Sequence, residues 1–100
     1  MIRHIVFWKL RDDVTGQART DVLRTIKQGF EAMQGQIPGL LKIEIGIPFS
    51  DGAESADVVL HSEFESRAAL ERYNTHPLHE AMAAIVRQVR VERRIADFEA

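Results

Sequence analysis

No cysteine occurs anywhere in the chain. This excludes disulfides, thiolate metal ligands and a cysteine nucleophile together, and it fits a reducing compartment. Proline is scarce, with three residues, and Pro38, Pro48 and Pro77 all fall where one element must end or another begin. Long apolar runs are missing too. The opening stretch Ile5-Val6-Phe7-Trp8 is far too short for a signal-peptide core or a membrane span, so no membrane contact is expected and the cytoplasm is the expected location. Nor is there an excess of one charge: 13 Lys and Arg face 15 Asp and Glu, a formal net charge of −2. Without a broad basic field to neutralise phosphates, nucleic acid is not an expected partner. The local exception is Arg87, Arg90, Arg93 and Arg94, interrupted by Glu92. It reads as a solvated face with a few surface ion pairs, each worth ~0 to 1 kcal/mol. Gly35 and Gly39 lack the strand-glycine-lysine-helix order of a phosphate loop, so no nucleotide is expected, and nothing calls for another cofactor.

At 100 residues the chain has the length of one domain, 1–100, able to bury roughly 60 to 65% of the surface its unfolded form exposes. From Ile2 to Leu10 it is rich in β-branched and aromatic residues. His4, Val6, Trp8 and Leu10 share one face, while Ile5, Phe7 and Lys9 share the other, so a strand with two largely apolar faces is predicted. Thr15 is a plausible N-cap for a helix of about five turns carrying Ala18, Val22, Ile26, Phe30 and Met33, closed by Gly35 and Pro38-Gly39. Leu41, Ile43, Ile45 and Ile47 alternate with polar residues or glycine as a strand with one buried face. The turn around Ser50-Asp51-Gly52 returns the chain into a third strand, Asp57 to Phe64. Ser66 caps a short helix through Leu70 to Tyr73, and Thr75-His76-Pro77 breaks it. Pro77 then opens a helix with Leu78, Met82, Ile85 and Val89 on one stripe, and Val91 to Glu99 forms the last strand.

The order β-α-β-β-α-α-β is that of an α+β, ferredoxin-like fold, a four-stranded antiparallel sheet with helices on one face. The opposite face is then bare, and the first strand makes it apolar through Ile5 and Phe7. A second sheet is the simplest cover. With no repeat, linker or low-complexity segment to supply one, it must come from another copy of the chain, and a homodimer is predicted.

The strings His4-Ile5-Val6-Phe7-Trp8-Lys9-Leu10, Ile37-Pro38-Gly39, Phe64-Glu65-Ser66 with Ala69-Leu70 and Tyr73, His76-Pro77-Leu78-His79 and Asp97-Phe98-Glu99 occur in this order over essentially the whole chain. Together they resemble the stress-responsive A/B barrel domain family. That resemblance implies a dimeric α+β barrel in which two ferredoxin-like sheets pack face to face, in agreement with the bare-face argument. Some members of the family are induced by stress and others act as polyketide cyclases. In the cyclising members the tyrosine and second histidine of Tyr-x-x-His-Pro-x-His carry acid-base chemistry, and the histidine opening the first strand lines the same cavity. The resemblance places those roles on Tyr73, His79 and His4, and transfers none to His61.

Each of these residues also has a plainer reading. His4 is either a hydrogen-bonded core histidine or a group pointing into a cavity under the helices. His76 and His79, three apart on one helical face, have a spacing that two metal ligands could use. The alternative makes His76 a cap before Pro77, and with no cysteine or evident carboxylate beside the pair, no metal is expected. A histidine titrating near its ordinary value of ~6.5 can take and return a proton, and a tyrosine can polarise an enolate oxygen. Otherwise Tyr73 is an aromatic plug whose hydroxyl bonds backbone or His79. Trp8, Phe7, Phe30, Phe64 and Phe98 read as core rather than ligand box. Asp57, Glu63 and Asp97 lie on strands without an evident pairing. The function expected is binding of a small, partly apolar or aromatic molecule in a cavity between sheet and helices, with acid-base chemistry through His79 and Tyr73. The alternative is a non-catalytic, stress-linked binding or assembly module.

Overall fold

A computed structural model describes all residues, Met1–Ala100. The chain folds as β1 (Ile2–Leu10), α1 (Gly16–Glu31), β2 (Leu40–Gly46), β3 (Val58–Phe64), α2 (Arg67–Thr75), α3 (Pro77–Arg87) and β4 (Arg90–Glu99). The strands form one antiparallel sheet in the order β2-β3-β1-β4, as the β-α-β-β-α-α-β pattern requires. Helices cover one face only, packing on β1, β2 and β3 and leaving the edge strand β4 exposed along its length.

The alternation in β1 sorts its side chains as predicted. Ile2, His4, Val6, Trp8 and Leu10 are buried under the helices, because successive side chains of a strand point to opposite faces. They join Val58, Leu60 and Phe64 of β3, Ile26 and Phe30 of α1, and Leu70, Tyr73, Met82 and Val86 of the later helices in one core. Each fully buried large aliphatic or aromatic side chain there contributes roughly 1.5 to 3 kcal/mol. Two glycines allow the layers to approach. A Cβ on Gly29 of α1 would collide with the Met82 side chain of α3. Gly39 combines a φ of +84° with a backbone held against Ala69 of α2, a conformation and a clearance that only glycine tolerates without strain.

Several details depart from expectation. Helix α1 stops at Glu31, short of Gly35, and the chain crosses to β2 through hydrogen-bonded turns at Met33, Gln34 and Gln36. Thr15 stands at its N-cap, but its side chain makes no capping hydrogen bond. In β2 a register shift between Leu40 and Lys42 breaks the simple alternation. Leu40 therefore joins Ile43 and Ile45 in the core, while Leu41 and Ile47 are exposed. The extra residue of a bulge turns its neighbour outward. Phe7 and Phe98 are not core of this chain: they are 40% and 44% exposed. In the strand register Phe7 lies opposite Val59 and Arg94, and Phe98 opposite Arg3, so both stand on the face without helices.

Candidate functional site

Antiparallel register dictates the first contact of the site. His4 on β1 lies directly opposite Asp97 on β4, and residues opposite one another on the same face of a sheet bring their side chains together. The His4 Nδ1 accordingly meets the Asp97 carboxylate. His4 is buried to 4% exposure, with its ring edge-on to Phe64 at 6.3 Å and to Tyr73 at 6.0 Å. Its own backbone carbonyl accepts a 2.9 Å hydrogen bond from the buried Ser62 hydroxyl. The imidazole is therefore fixed on several sides.

The second histidine arrives through the helix break. His76 is extended, with φ −68° and ψ 138°, and serves at once as C-cap of α2 and N-cap of α3. Its Nδ1 accepts the Leu78 N–H at 3.1 Å, and Pro77 occupies the first helical position, where a missing N–H costs nothing. His76 is thus a structural cap, and its Nδ1 is already engaged. The turn places His79 in the first turn of α3, its ring 4.4 Å from that of Tyr73. His79 Nδ1 lies 3.1 Å from the Asn74 carbonyl oxygen. A carbonyl only accepts, so Nδ1 carries the proton and Nε2 keeps its lone pair. The carboxylate of Asp97 likewise engages Nδ1 of His4.

Burial lowers the His79 pKa, assisted by the positive field of His4 and Arg93 and opposed by the Asn74 hydrogen bond and Glu80. The ring is therefore neutral at pH 7. Burial acts the other way on a phenol: Tyr73, completely enclosed, has its pKa raised well above the ordinary value against a weaker lowering by Arg93. It remains protonated at neutral pH and so keeps an O–H to donate. That hydroxyl is buried with no hydrogen-bond partner, neither backbone nor His79. In most proteins such a group would be satisfied.

A cleft of about 160 Å³ opens beside these groups. His4 and His79 line it over an apolar floor that includes Val6, Trp8 and Phe30, and Arg87, Arg90 and Arg93 complete its wall. Two of the three residues expected at the site therefore reach the cleft. Tyr73 does not line it; it is packed against both histidine rings. None of the four clustered arginines pairs with a carboxylate, contrary to the surface ion pairs expected of them. A larger groove of about 570 Å³ lies on the opposite face, between the 48–56 loop and Phe7, Lys9, Val59 and Arg94. It contains none of the site histidines. His61 is on that face as well, bonded to Glu44 at 2.9 Å. Asp57, expected on the third strand, lies just before β3, where it accepts the Leu10 N–H at 2.8 Å and an Arg19 contact at 3.2 Å. Glu63 lies 3.7 Å from Arg3. No three His, Cys, Asp or Glu side chains converge as metal ligands would.

Two partners escaped the sequence reading. Asp97 was visible as a strand carboxylate, and counting back an antiparallel β1-β4 register would have set it opposite His4. The Asn74 carbonyl left no signal, because any residue type provides one.

The fold and the histidine pair define a ferredoxin-like α+β domain with a helix-side cleft. The chain belongs to the family described as stress responsive A/B barrel domain, whose model matches residues 2–100. It is 37% identical over 99 residues to an uncharacterized protein of Streptomyces coelicolor, covering 99% of each chain. A dimeric protein of unknown function from Bacteroides fragilis, with a ferredoxin-like fold, is 33% identical. It superposes with a TM-score of 0.89 over 99% of this chain and 95% of its own. A dimeric ferredoxin-like protein of unknown function from Thermobifida fusca shares the fold at 23% identity, with a TM-score of 0.85 over 99% and 90% of the two chains.

Proposed function

We propose that residues 1–100 act as one domain in a cytoplasmic homodimer that binds a small, partly apolar molecule in the helix-side cleft. There it performs acid-base chemistry of the polyketide-cyclase kind. The observation that carries this reading is the matched placement of two histidines on one cleft: each Nδ1 is held, by Asp97 or by the Asn74 carbonyl, and neither Nε2 has a hydrogen-bond partner in the protein. In this mechanism His79, neutral at pH 7 and less completely buried than His4, removes a proton beside a substrate carbonyl. The same His79 Nε2 then returns that proton to the product carbon, while His4, fixed by Asp97, lines the cleft beside it. Tyr73 donates its unpartnered hydroxyl to the developing enolate oxygen, which requires the His79 ring to shift as ligand enters. Preorganised donors of this sort lower the barrier because they need no reorganisation as charge develops.

Dimerisation is supported by the apolar face bearing Ile5, Phe7, Val59 and Phe98, and by the dimeric relative at 33% identity. The wide groove of that face then belongs to the interface.

The test is exchange of solvent deuterium into the methyl group of acetophenone, followed by proton NMR. Wild-type protein should accelerate it. His79→Ala should abolish the acceleration with the dimer intact, and Tyr73→Phe should lower turnover more than binding. Loss of fold in His79→Ala with no effect of the foldable His79→Gln on exchange would instead make His79 a structural residue. The non-catalytic binding module is the second reading, favoured by one observation: the Tyr73 hydroxyl is enclosed behind the histidines and not in the cleft.

A further inference from the structure

Charge pairing over the whole molecule is uneven. Of the 13 lysines and arginines, eight lie within 4.0 Å of a carboxylate. The other five are Arg72, Arg87, Arg90, Arg93 and Arg94, and three of these line the small cleft that His4 and His79 share. The fold puts them there for separable reasons. Arg90 and Arg93 lie opposite Leu10 and Trp8 in the β1-β4 register and so share the helix-side face. Arg87 ends α3, and the chain enters β4 only three residues later. The carboxylate interrupting the cluster, Glu92, lies opposite Lys9 and lines the groove on the other face. Of the two helix-side carboxylates of β4, Asp97 is committed to His4 and Glu99 to Arg67. Three like charges thus border one concavity with no counter-charge of their own. A bound anion would relieve that repulsion.

We infer that Arg87, Arg90 and Arg93 form the carboxylate-holding end of the cleft, and that its ligand is a small organic acid. The guanidinium fork matches a carboxylate bidentately, with direction as well as charge. The apolar floor of Val6, Trp8, Phe30, Leu60 and Val86 suits a short planar or hydrocarbon body. At about 160 Å³ the cleft is below the ~300 to 1,000 Å³ of pockets for drug-sized ligands, which favours an acid of few carbons or one ring. An acid anchored at the arginines presents its far end to the two Nε2 atoms. This inference deepens the acid-base reading above by naming the substrate class, and it rests on that reading only for the reaction, not for the binding.

The test is a titration of the full-length protein at pH 7 and low salt with benzoate and with its neutral isostere benzamide, followed by NMR shifts of the backbone amides and histidine rings. Benzoate should bind at least about tenfold more tightly than benzamide, the factor that one charge-assisted hydrogen bond supplies. Arg93→Gln and Arg90→Gln should each weaken benzoate by about tenfold while leaving benzamide unchanged. Both side chains lie at the surface, outside the core, so these variants should fold. Bound benzoate should also raise the His79 pKa, an effect lost in Arg93→Gln. Equal affinities for benzoate and benzamide would overturn the inference. So would arginine variants that alter the monomer-dimer balance without altering benzoate affinity. If benzoate binds through the arginines but His79→Gln leaves deuterium exchange unchanged, the anion site stands and the acid-base function falls.

Discussion

Replacing Phe7 by aspartate tests the proposed dimer where the energy is concentrated. Phe7 keeps 40% of its surface exposed in the isolated chain; for an aromatic side chain burying about 200 Å² in all, that leaves ~80 Å² for a partner to cover. At ~25 cal/mol per Å² this is ~2 kcal/mol for each copy. Two-fold symmetry counts it twice, so the loss is ~4 kcal/mol or roughly a thousandfold in dissociation constant. The new carboxylate adds the cost of burying an unpaired charge, so the thousandfold is a lower limit. The variant should be monomeric at micromolar concentration by sedimentation velocity and native mass spectrometry, where wild type is dimeric. Its far-UV circular dichroism should be unchanged, because Phe7 contributes nothing to the helix-side core. A wild-type protein that is monomeric at micromolar concentration, or a Phe7→Asp variant as dimeric as wild type, would refute the reasoning.

Three further outcomes follow from the site and its supports. The His79 pKa is lower folded than unfolded, so the unfolded chain binds the extra proton first. Stability should therefore be full above about pH 6.5 and fall as pH drops from there to the depressed folded value. Urea titrations at pH 7 and pH 5.5 should show the loss, and His79→Gln should remove it. Tyr73→Phe deletes a buried hydroxyl without a partner; it should leave stability unchanged or raise it by up to ~1 to 3 kcal/mol. Destabilisation in a urea melt would mean that the hydroxyl has a partner. Ser66→Ala removes the 3.1 Å bond that the Ala69 N–H donates to the Ser66 hydroxyl and should cost ~1 kcal/mol in the same assay, with activity retained.

How much of this was legible depended on the range of the interaction. The two faces of β1 and the helix break at Thr75-His76-Pro77 follow from local rules, namely period-two alternation and the absent N–H of proline. The sequence shows both directly. The bulge at Leu40–Lys42 depends on how the turn from Ile37 delivers the chain to β3. Alternation alone therefore assigned Leu41 to the wrong face. Aromatic composition likewise suggested that Phe7 and Phe98 were core, although the alternation in β1 already set Phe7 opposite Val6 and Trp8. The arginine cluster was misjudged for a related reason. Spacing along a strand gives each side chain a face, but only the fold reveals that the nearest carboxylates, Glu92 and Asp97, face away or are already engaged.

The conflict that remains within the site lies at Tyr73, and it bears on function more than any feature that agrees. A completely buried hydroxyl without a partner carries a penalty of ~1 to 3 kcal/mol, which phenylalanine would avoid at the same volume. Such a group is expected where it has a task outside the resting fold. Its neighbour His79 is the less constrained of the two histidines: it is partly exposed, sits at a helix start after an extended residue, and makes one ring hydrogen bond, to the Asn74 carbonyl, while packing against Tyr73. His4, by contrast, is clamped by Asp97 and packed against Phe64 and Tyr73. A ligand entering beside Arg93 can therefore displace the His79 ring far more easily than that of His4. That displacement would open a path from the cleft to the phenol. On the proposed function, the unpaired hydroxyl and the less constrained histidine are parts of a single arrangement, in which the donor would be kept dry until a substrate oxygen arrives to accept from it.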